Sequence, residues 1–359
     1  MKGIGHRRKT KTIFVGNVPV GGNAPLVVQS MTCTDTRDVR ATVAQIRELE
    51  EAGCELIRVA VPDAEAAEAL GTIKKRISIP LIADIHFNFR LALEAIRQGA
   101  DGIRINPGNM KREGLRRIVA AAASAGAAIR IGINAGSLEK DILRKHGRPT
   151  AAALVESALR SLAFFEEMGA KSLKLSIKSS DVPTMIESYR LVAKRTRWPL
   201  HLGVTEAGTL LHAAVKSSIG IGVLLAEGIG DTLRVSVTGH PREEIRLAYE
   251  ILGALRLRRR GPEIISCPTC GRCEIDLFRL AEEVESRLTG LKEPLKIALM
   301  GCVVNGPGEA AEADIGIAGG KGQGLLFRCG KAVRKVREAD FADELLREIS
   351  RMTKDEKEM

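Results

Sequence analysis

Cysteines in the last quarter of the chain have a spacing suited to metal binding. Cys267 and Cys270 are separated by two residues, and Cys302 follows in a glycine-rich segment. A C-x-x-C pair presents two thiolates from one turn, and a distant third cysteine completes a face of three sulfur ligands. Structural zinc normally takes four cysteine or histidine ligands, and Cys273 and Cys329 are the only further candidates in this part of the chain.

Three interpretations of this cluster remain open from spacing alone. The first is a zinc site formed by Cys267, Cys270, Cys273 and Cys302. A redox disulfide is disfavoured, because the C-x-x-C pair does not open a helix beside a thioredoxin-like βαβ unit. The third is an iron–sulfur cluster held by three cysteines, with a weak oxygen ligand that leaves one iron exchangeable for substrate. Glu309 is the candidate for that oxygen, although a surface carboxylate is the default interpretation of such a residue.

A second group of chemically active residues lies on predicted strands, where charged and polar side chains alternate with apolar ones. Lys174, Ser176 and Lys178 alternate with Leu175 and Ile177. Because side chains point to opposite faces with a period of two, each polar set lies on one face of its strand. The same pattern recurs on the other predicted strands, at Asp84 and His86, Arg104 and Asn106, Arg130 and Asn134, and Arg234 and Ser236.

Buried cations in such number require negative charge nearby, because an isolated buried lysine or arginine costs several kcal/mol. Internal ion pairs are the alternative to a ligand, and Asp84 and Glu206 are the acids placed to form them. These acids are fewer than the strand cations, which are Arg58, Arg104, Arg130, Lys174 and Lys178. The imbalance predicts an oxygen-rich, multiply charged ligand such as a diphosphate.

The elements that must position these residues alternate between short apolar strands and amphipathic helices. Such alternation predicts parallel strands, and eight units in this length predict an α/β fold of the (β/α)8 TIM-barrel type. A doubly wound sheet is the alternative, but no glycine fingerprint follows the first strand. The predicted strands are Leu26–Met31, Leu56–Val61, Leu81–Ile85, Gly102–Asn106, Ala128–Asn134, Ser172–Lys178, Leu200–Thr205 and Thr232–Val237.

A basic segment ending in Gly261-Pro262 indicates a linker after the barrel. We therefore expect a substrate-binding barrel at residues 1–260 and a smaller α+β domain at residues 261–359. In the second domain the pattern predicts short strands such as Glu263–Cys267 and Lys296–Met300, and helices at Glu274–Leu288 and Lys331–Met352.

Composition narrows the class of protein. The chain has 359 residues and a net charge of +11, which suits an anionic partner, but only 3% aromatic residues, which argues against a base-stacking surface. With no secretory signal and seven cysteines, we expect a cytoplasmic protein without a disulfide framework. Two other functions stay open: a zinc-stabilised RNA-binding protein, and a cofactor-independent barrel enzyme acting on a phosphorylated substrate, with a structural metal domain.

Several segments resemble a known family. They include residues 27–32 (Val-Val-Gln-Ser-Met-Thr), 84–87 (Asp-Ile-His-Phe), 104–109 (Arg-Ile-Asn-Pro-Gly-Asn) and 203–208 (Gly-Val-Thr-Glu-Ala-Gly). The most specific are residues 267–272 (Cys-Pro-Thr-Cys-Gly-Arg) and the loop 301–309. In this order the chain resembles, over nearly its whole length, the bacterial (E)-4-hydroxy-3-methylbut-2-enyl diphosphate synthases of the methylerythritol phosphate pathway. Cys273 is unusual for that family.

The resemblance implies an oxidoreductase in isoprenoid precursor biosynthesis. It implies a TIM barrel followed by a domain like those of sulfite and nitrite reductases, which carries a [4Fe–4S] cluster. The substrate would be 2-C-methyl-D-erythritol 2,4-cyclodiphosphate, opened and dehydrated by two electrons from reduced flavodoxin or ferredoxin. It also implies a homodimer in which each cluster domain caps the barrel of the partner subunit.

The resemblance further assigns roles to individual residues. Cys267, Cys270, Cys302 and Glu309 would bind the cluster, and Glu206 would supply the proton for loss of water. The residues expected to bind substrate are Arg58, Asp84, His86, Arg104, Arg130, Asn134, Lys178 and Ser236.

Overall fold

The computed structural model describes residues 6–302 and 306–358 of the chain. It contains two compact units, of which the first ends at Arg258 and the second begins at Arg259. Among the described residues, no helix combines the length and the apolar character needed to cross a bilayer.

The first unit is a barrel of eight parallel strands. After the two strands of an N-terminal hairpin, β1 and β2, described below, the barrel strands are β3 Val27–Met31, β4 Leu56–Ala60, β5 Leu81–Ile85, β6 Gly102–Ile105, β7 Ala128–Asn134, β8 Leu173–Lys178, β9 His201–Leu202 and β10 Thr232–Leu233. Strands that follow one another along the chain are neighbours from β3 to β8, β3 also pairs with β10, and β10 pairs with β9. A bridge between Leu175 and Leu200 joins β8 to β9 and completes the circle.

Helices follow the strands, and their ends have capping residues. Asp38, Asp63 and Asp181 each accept a hydrogen bond from an amide in the first turn of the helix that follows. Gly53 and Gly126 end two helices in the left-handed conformation that glycine adopts readily. The helices are α1 Val39–Ala52, α2 Ala64–Lys74, α3 Phe89–Arg97, α4 Arg112–Ala125, α5 Lys140–His146, α6 Ala151–Glu167, α7 Val182–Ala193, α8 Leu210–Ala226 and α9 Pro241–Ala254.

The apolar core of this unit lies between the strands and the helices. In β4, for example, Ile57 and Val59 are fully buried members of this core, while Arg58 between them points the other way, into the barrel. This alternation is what the period of two predicts for a strand covered by helices on one face. It leaves the barrel interior to the polar side chains.

An N-terminal hairpin closes the end of the barrel where the strands begin. Its strands are β1 Ile13–Val15 and β2 Val18–Val20, which pair antiparallel. Asp231, just before β10, accepts hydrogen bonds from Arg7 at 2.9 Å, Thr10 at 3.0 Å and the Leu200 amide at 2.8 Å. These bonds tie the N-terminal segment to the floor of the barrel.

The second unit is a five-stranded mixed sheet with helices. Its elements are β11 Glu263–Ser266, α10 Leu277–Arg287, β12 Lys296–Met300, α11 Gly306–Ala311, β13 Ile315–Gly320, β14 Gln323–Arg328, β15 Lys331–Arg337 and α12 Phe341–Glu358. Strands β11, β12 and β13 are parallel, whereas β14 and β15 continue the sheet as antiparallel strands. The core of this unit includes Leu280, Val284, Ile297, Ile317 and Leu345.

The barrel prediction is confirmed, and the predicted bounds of three elements are wrong. The helix predicted over Lys331–Met352 begins only at Phe341, because residues 331–337 pair with β14 as an edge strand. The last two barrel strands are also shorter than predicted: each has two residues, and glycine or irregular backbone follows. The N-terminal hairpin and α5 were not predicted.

Candidate functional site

Asp84 organises one side of the barrel interior, near the end where β5 stops. Its carboxylate accepts a hydrogen bond from Arg104 at 3.1 Å and lies 3.6 Å from Arg58. Arg104 also contacts the Nε2 atom of His86 at 2.8 Å. Burial alone raises the pKa of Asp84, but the charges of Arg58 and Arg104 and the contact with His86 outweigh it and hold this pKa well below its usual value. Asp84 therefore neutralises part of the cationic set.

Three further cations have no such partner. Arg130, Lys174 and Lys178 are buried, and among the described residues no carboxylate lies within ion-pair distance of them. The strand register places Arg130 beside Lys174 and Asn134 beside Lys178. Burial, followed by repulsion from neighbouring arginines, lowers the pKa of both lysines and of Arg130. This part of the interior consequently favours the binding of an anion.

An acid that the sequence interpretation missed balances another cation. Glu244, in the first turn of α9, is buried and accepts two hydrogen bonds from Arg234, at 2.9 and 2.7 Å. It also accepts one from the hydroxyl of Ser30 at 2.8 Å. The counter-charge expected from Glu206 thus comes from a helix instead. The sequence offers one signal that could have identified Glu244 as buried. It lies four residues before Ala248, and therefore on the same face of α9 as this buried residue.

Glycines make room for the long cationic side chains. A Cβ atom at Gly132 would lie 2.6 Å from Nε of Arg104. A Cβ atom at Gly203 would lie 2.7 Å from the carbonyl oxygen of Arg234 and 3.4 Å from Nζ of Lys178. Real Cβ atoms do not approach other atoms so closely as 2.6 or 2.7 Å, so any larger residue would displace these groups. The cations therefore depend on these two glycines for their positions.

Glu206 lies in the segment that follows β9, and its backbone is unusual. Its φ of 51° is in the left-handed region, which residues other than glycine seldom adopt. Such conformations often occur at functional sites, where the surrounding structure holds a side chain in one direction. Among the described residues its carboxylate forms no ion pair, and the residue is exposed.

The structure places the remaining predicted residues at the same end of the barrel. With its amide oxygen assigned toward Arg104, Asn134 accepts a hydrogen bond from Nη2 at 2.9 Å. His86 is exposed just after β5, and Ser236 is half-buried after β10. We refer to Arg58, Asp84, Arg104, Arg130, Asn134 and Lys178 together with these two residues as the barrel mouth.

In the second unit, cysteines lie at one edge of the sheet. Cys267 follows β11 and Cys302 follows β12, and the ends of these parallel strands are adjacent, since the Cys267 amide donates to Leu299 at 3.2 Å. The Glu274 amide donates to the Gly301 carbonyl at 2.8 Å and so joins the two cysteine segments. Cys273 lies against Gly301, where a Cβ atom would be 2.3 Å from its sulfur. We refer to Cys267, Cys270, Cys273 and Cys302 as the cysteine edge.

The chemistry of the cysteine edge fits a thiolate-bound metal centre. Among the described residues, no disulfide joins these cysteines. Cys302 is buried, Cys270 is exposed, and Glu309 is exposed in the first turn of α11. Within the ranges 6–302 and 306–358, no three cysteine, histidine or acidic side chains are close enough together to hold a metal ion. Residues 303–305 of the predicted loop lie outside the described residues.

These features define a class of protein: a TIM barrel with a mouth lined by basic side chains, joined to an α+β unit with a thiol-rich sheet edge. Family models agree with this class. Residues 10–249 match the GcpE TIM-barrel domain, and residues 263–351 match the GcpE protein C-terminal domain. The chain belongs to the GcpE family.

Curated relatives give the family its activity. A protein of Geobacter sulfurreducens named 4-hydroxy-3-methylbut-2-en-1-yl diphosphate synthase (flavodoxin) is 58% identical over 347 residues, which are 96% of this chain and 98% of the relative. A protein of Anoxybacillus flavithermus with the same name is 54% identical over 99% of this chain and 98% of its own. The family resemblance predicted from the motifs is confirmed.

A solved structure shows a similar fold. The crystal structure of dihydropteroate synthase from Stenotrophomonas maltophilia has a TM-score of 0.51 and 15% sequence identity, covering 69% of this chain and 98% of that one. At this identity the similarity supports the barrel architecture alone.

Proposed function

We propose that this chain converts 2-C-methyl-D-erythritol 2,4-cyclodiphosphate to (E)-4-hydroxy-3-methylbut-2-enyl diphosphate, using electrons from flavodoxin. The enzyme class and the flavodoxin dependence follow from the family and from the names of its curated members. The substrate assignment to the barrel mouth is our inference. The observation that carries it is the presence of buried basic side chains at the mouth, Arg130 and Lys178, with which no carboxylate in the described chain forms an ion pair.

The barrel mouth would hold the diphosphate. Arg130 and Lys178 face the interior with hydrogen-bond donors to spare, and Arg104 is oriented by Asp84, His86 and Asn134. Arginine presents parallel N–H groups that match phosphate oxygens, and pre-oriented donors lose little entropy on binding. Arg58 and Ser236 complete the proposed set of ligand-binding residues, with His86 and Asp84 lining the pocket.

The cysteine edge would hold the redox centre. Cys267, Cys270 and Cys302 would bind a [4Fe–4S] cluster, with Glu309 as an exchangeable oxygen ligand on the fourth iron. When bound, such a cluster supplies electrons and a Lewis-acidic iron. The fit rests on the type of donors, soft thiols in the segments that follow the adjacent strands β11 and β12, and on the small residue Gly301, which precedes Cys302 and lies against the sulfur of Cys273.

Glu206 is the proposed proton donor for the hydroxyl group that leaves as water. Glu206 lies in the segment after β9, at the end of the barrel where active sites of this fold form. An acid positioned there to protonate the leaving group typically accelerates such a step by about 100- to 10,000-fold. The left-handed backbone at this residue supports a functional rather than a purely structural role.

A homodimer and a cytoplasmic location complete the proposal. The first unit ends at the floor of the barrel, where Arg258 donates to Glu55 at 2.7 and 2.9 Å and also contacts the Leu26 carbonyl. Both partners precede barrel strands, so the chain leaves this unit at the end opposite the mouth. A domain that begins at Arg259 reaches a mouth most directly if that mouth belongs to a partner subunit.

Anaerobic purification followed by iron and sulfide analysis tests the proposal. We expect about four irons per chain, and formation of (E)-4-hydroxy-3-methylbut-2-enyl diphosphate when a low-potential donor and the cyclic diphosphate are added. Iron-free protein, or iron-loaded protein that forms no product, would contradict it. The variant Cys302→Ala distinguishes the alternative of a cofactor-independent barrel enzyme, since that enzyme would keep its turnover.

A further inference from the structure

Two basic side chains lie deep in the barrel, and neither is among the proposed substrate ligands. Lys174, on β8, is 1% exposed, and its Nζ atom has no hydrogen-bond partner among the described residues. His201, on β9, is 0% exposed, and its Nε2 atom is equally without a partner, while its Nδ1 atom lies 2.8 Å from the hydroxyl of Thr232. Buried polar groups are normally hydrogen-bonded, so these two atoms require an explanation.

The surroundings of Lys174 disfavour a charged ammonium group in the ligand-free protein. Arg130 is its neighbour in the strand register, and Arg58 and Arg130 both repel a positive charge at this position. The acid that attracts it is Asp231 at the floor of the barrel. The oxygens of Asp231 already accept bonds from Arg7, Thr10 and the Leu200 amide, and in the described part of the chain Lys174 does not donate to them.

The charge at the mouth changes when a ligand binds. A diphosphate carries about two or three negative charges and would neutralise Arg58 and Arg130, the two neighbours that repel a proton from Lys174 and that also repel one from His201. A base kept neutral by nearby cations becomes easier to protonate when those cations are paired with an anion. The effect is strong here because the interior is shielded from water.

We propose that Lys174 is a positioning residue that accepts a proton when the cyclic diphosphate binds at the barrel mouth, so that substrate binding is coupled to proton uptake. This inference rests on the proposed function. The added charge lies four residues before Lys178 on the same strand and beside Arg130 in the strand register, and it strengthens the hold on the diphosphate. Lys174 acts through the field of the interior and need not touch the substrate.

The effect of burial and of the surrounding charges on the pKa of Lys174 supports the proposal. Burial, and next the charge of Arg130, lower the pKa of Lys174 to about 7. His201 is held neutral in the same way, by burial first and then by Arg130 and the two lysines. The charged groups facing Lys174 are Arg58 on β4, Arg130 on β7 and Asp231 before β10. A bound anion opposes the two arginines, so the lysine pKa rises and a proton is taken up at pH 8.

Isothermal titration calorimetry of the anaerobic holoenzyme without reductant tests this coupling. The cyclic diphosphate, and inorganic pyrophosphate as a second probe, are titrated at pH 8.0 in buffers of different ionisation enthalpy, and the slope gives the protons taken up per chain. We expect wild type to take up at least about half a proton more than Lys174→Met at pH 8.0. At pH 6.0, where Lys174 is already protonated in the free enzyme, this difference should disappear.

Lys171→Met is the matched control, because Lys171 is exposed just before β8 and should keep the wild-type proton count. Equal uptake by wild type and Lys174→Met at pH 8.0 would overturn the inference. Should Lys174→Met fail to fold, Lys174→Gln takes its place, and a wild-type enzyme that binds the ligand with no proton uptake at pH 8.0 overturns the inference without any variant. An enzyme that binds neither probe contradicts the proposed function itself.

Discussion

At the residue scale, the chemistry of the mouth depends on charge balance. Asp84 neutralises part of the charge of Arg58 and Arg104, and Glu244 neutralises Arg234. The guanidinium of Arg130 stays protonated in water, so the lowering of its pKa by burial indicates that its charge is held at a cost. In the proposed function, neutralisation of that charge by the substrate would be one source of binding free energy.

The proton-donor role of Glu206 can be tested by Glu206→Gln. The amide keeps the shape of the side chain but cannot donate a proton as an acid does, so we expect turnover to fall by at least about 100-fold. Steady-state assays under anaerobic conditions measure the loss, and the visible absorption of the protein reports whether the metal centre is retained.

The control for this variant is Glu187→Gln, at an exposed position on α7, which should leave turnover unchanged. If Glu206→Gln retained full activity with its metal centre intact, another group would have to supply the proton.

Sequence alone predicted the cations of the mouth, because the period of two on a strand determines which side chains share a face. It did not identify Glu244, since pairing with Arg234 depends on how α9 packs over the barrel. It also could not show the left-handed backbone of Glu206, which is a property of the loop after a two-residue strand. The buried polar atoms that lack hydrogen-bond partners can be identified only from the three-dimensional structure.

At the scale of elements, the inward faces of β7 and β8 combine small and long residues. Gly132 on β7 leaves the space that Arg104 of β6 occupies, and β8 contributes Ser176 between its two lysines. Most barrel interiors are filled by apolar side chains, and this one is lined by cations that need room to lie side by side.

Gly132→Ala tests whether this space matters for binding. The added methyl group would lie 2.6 Å from Nε of Arg104 and must displace it, so we expect KM for the cyclic diphosphate to rise by about 10-fold or more, with a smaller effect on kcat. Gly136→Ala is the control, since a Cβ atom there meets nothing within 4 Å. An unchanged KM in Gly132→Ala would show that the position of Arg104 is not important.

In the second unit, close packing at the cysteine edge leads to a prediction for Gly301. A methyl group at this position would collide with the sulfur of Cys273, so we expect Gly301→Ala to reduce the iron content per chain by at least about half. Iron and sulfide analysis after anaerobic reconstitution measures this.

Two further variants test whether collision with the sulfur of Cys273 causes the expected loss of iron in Gly301→Ala. Gly271→Ala, where a Cβ atom meets nothing within 4 Å, should bind iron as wild type does. The double variant Gly301→Ala with Cys273→Ala removes the sulfur and should recover the iron. If the double variant stayed as poor in iron as the single one, crowding by Cys273 would not be the cause.

Secondary structure was predicted well where the hydrophobic pattern was long. The prediction failed at β15, the outermost strand of the sheet in the second unit. Residues 331–337 (Lys-Ala-Val-Arg-Lys-Val-Arg) place basic and apolar residues three or four positions apart, which also fits a solvated helix, and pairing with β14 decides in favour of a strand. Helix propensity is a weak preference that tertiary contacts override. The eight barrel units were recognisable because in each of them a short apolar strand is followed by a helix whose apolar residues recur with a period of about 3.6.

At the scale of the whole molecule, the excess positive charge belongs to the barrel half of the chain. From residue 259 onward, acidic and basic residues are nearly equal in number. Part of the barrel's excess is in its interior, where Arg58, Arg104, Arg130, Lys174 and Lys178 are buried with the acids Asp84, Asp231 and Glu244. This part is available to a ligand that enters the mouth and not to a partner on the surface. The net charge is therefore explained in part by the small-molecule site.

The proposed dimer predicts that two inactive chains can restore activity together. In a mixture of Glu206→Gln and Cys302→Ala chains, half the dimers contain both, and in each of these one mouth with Glu206 faces an intact cysteine edge. We expect the mixed preparation to recover roughly a quarter of wild-type turnover. The two chains are unfolded and refolded together, or co-expressed, before the assay, and each variant alone serves as the control.

Sedimentation that shows a fully active monomer would contradict the dimer, as would co-expressed chains with no recovery of turnover.

The unpaired cations of the mouth also set a requirement for competitive inhibitors. A neutral mimic of the substrate would cover Arg130 and Lys178 without compensating their charge, and water would have lost access to them. An inhibitor directed at this site must therefore bring comparable negative charge, or a group that becomes anionic on binding, and this requirement limits how readily such a compound can pass through a cell membrane.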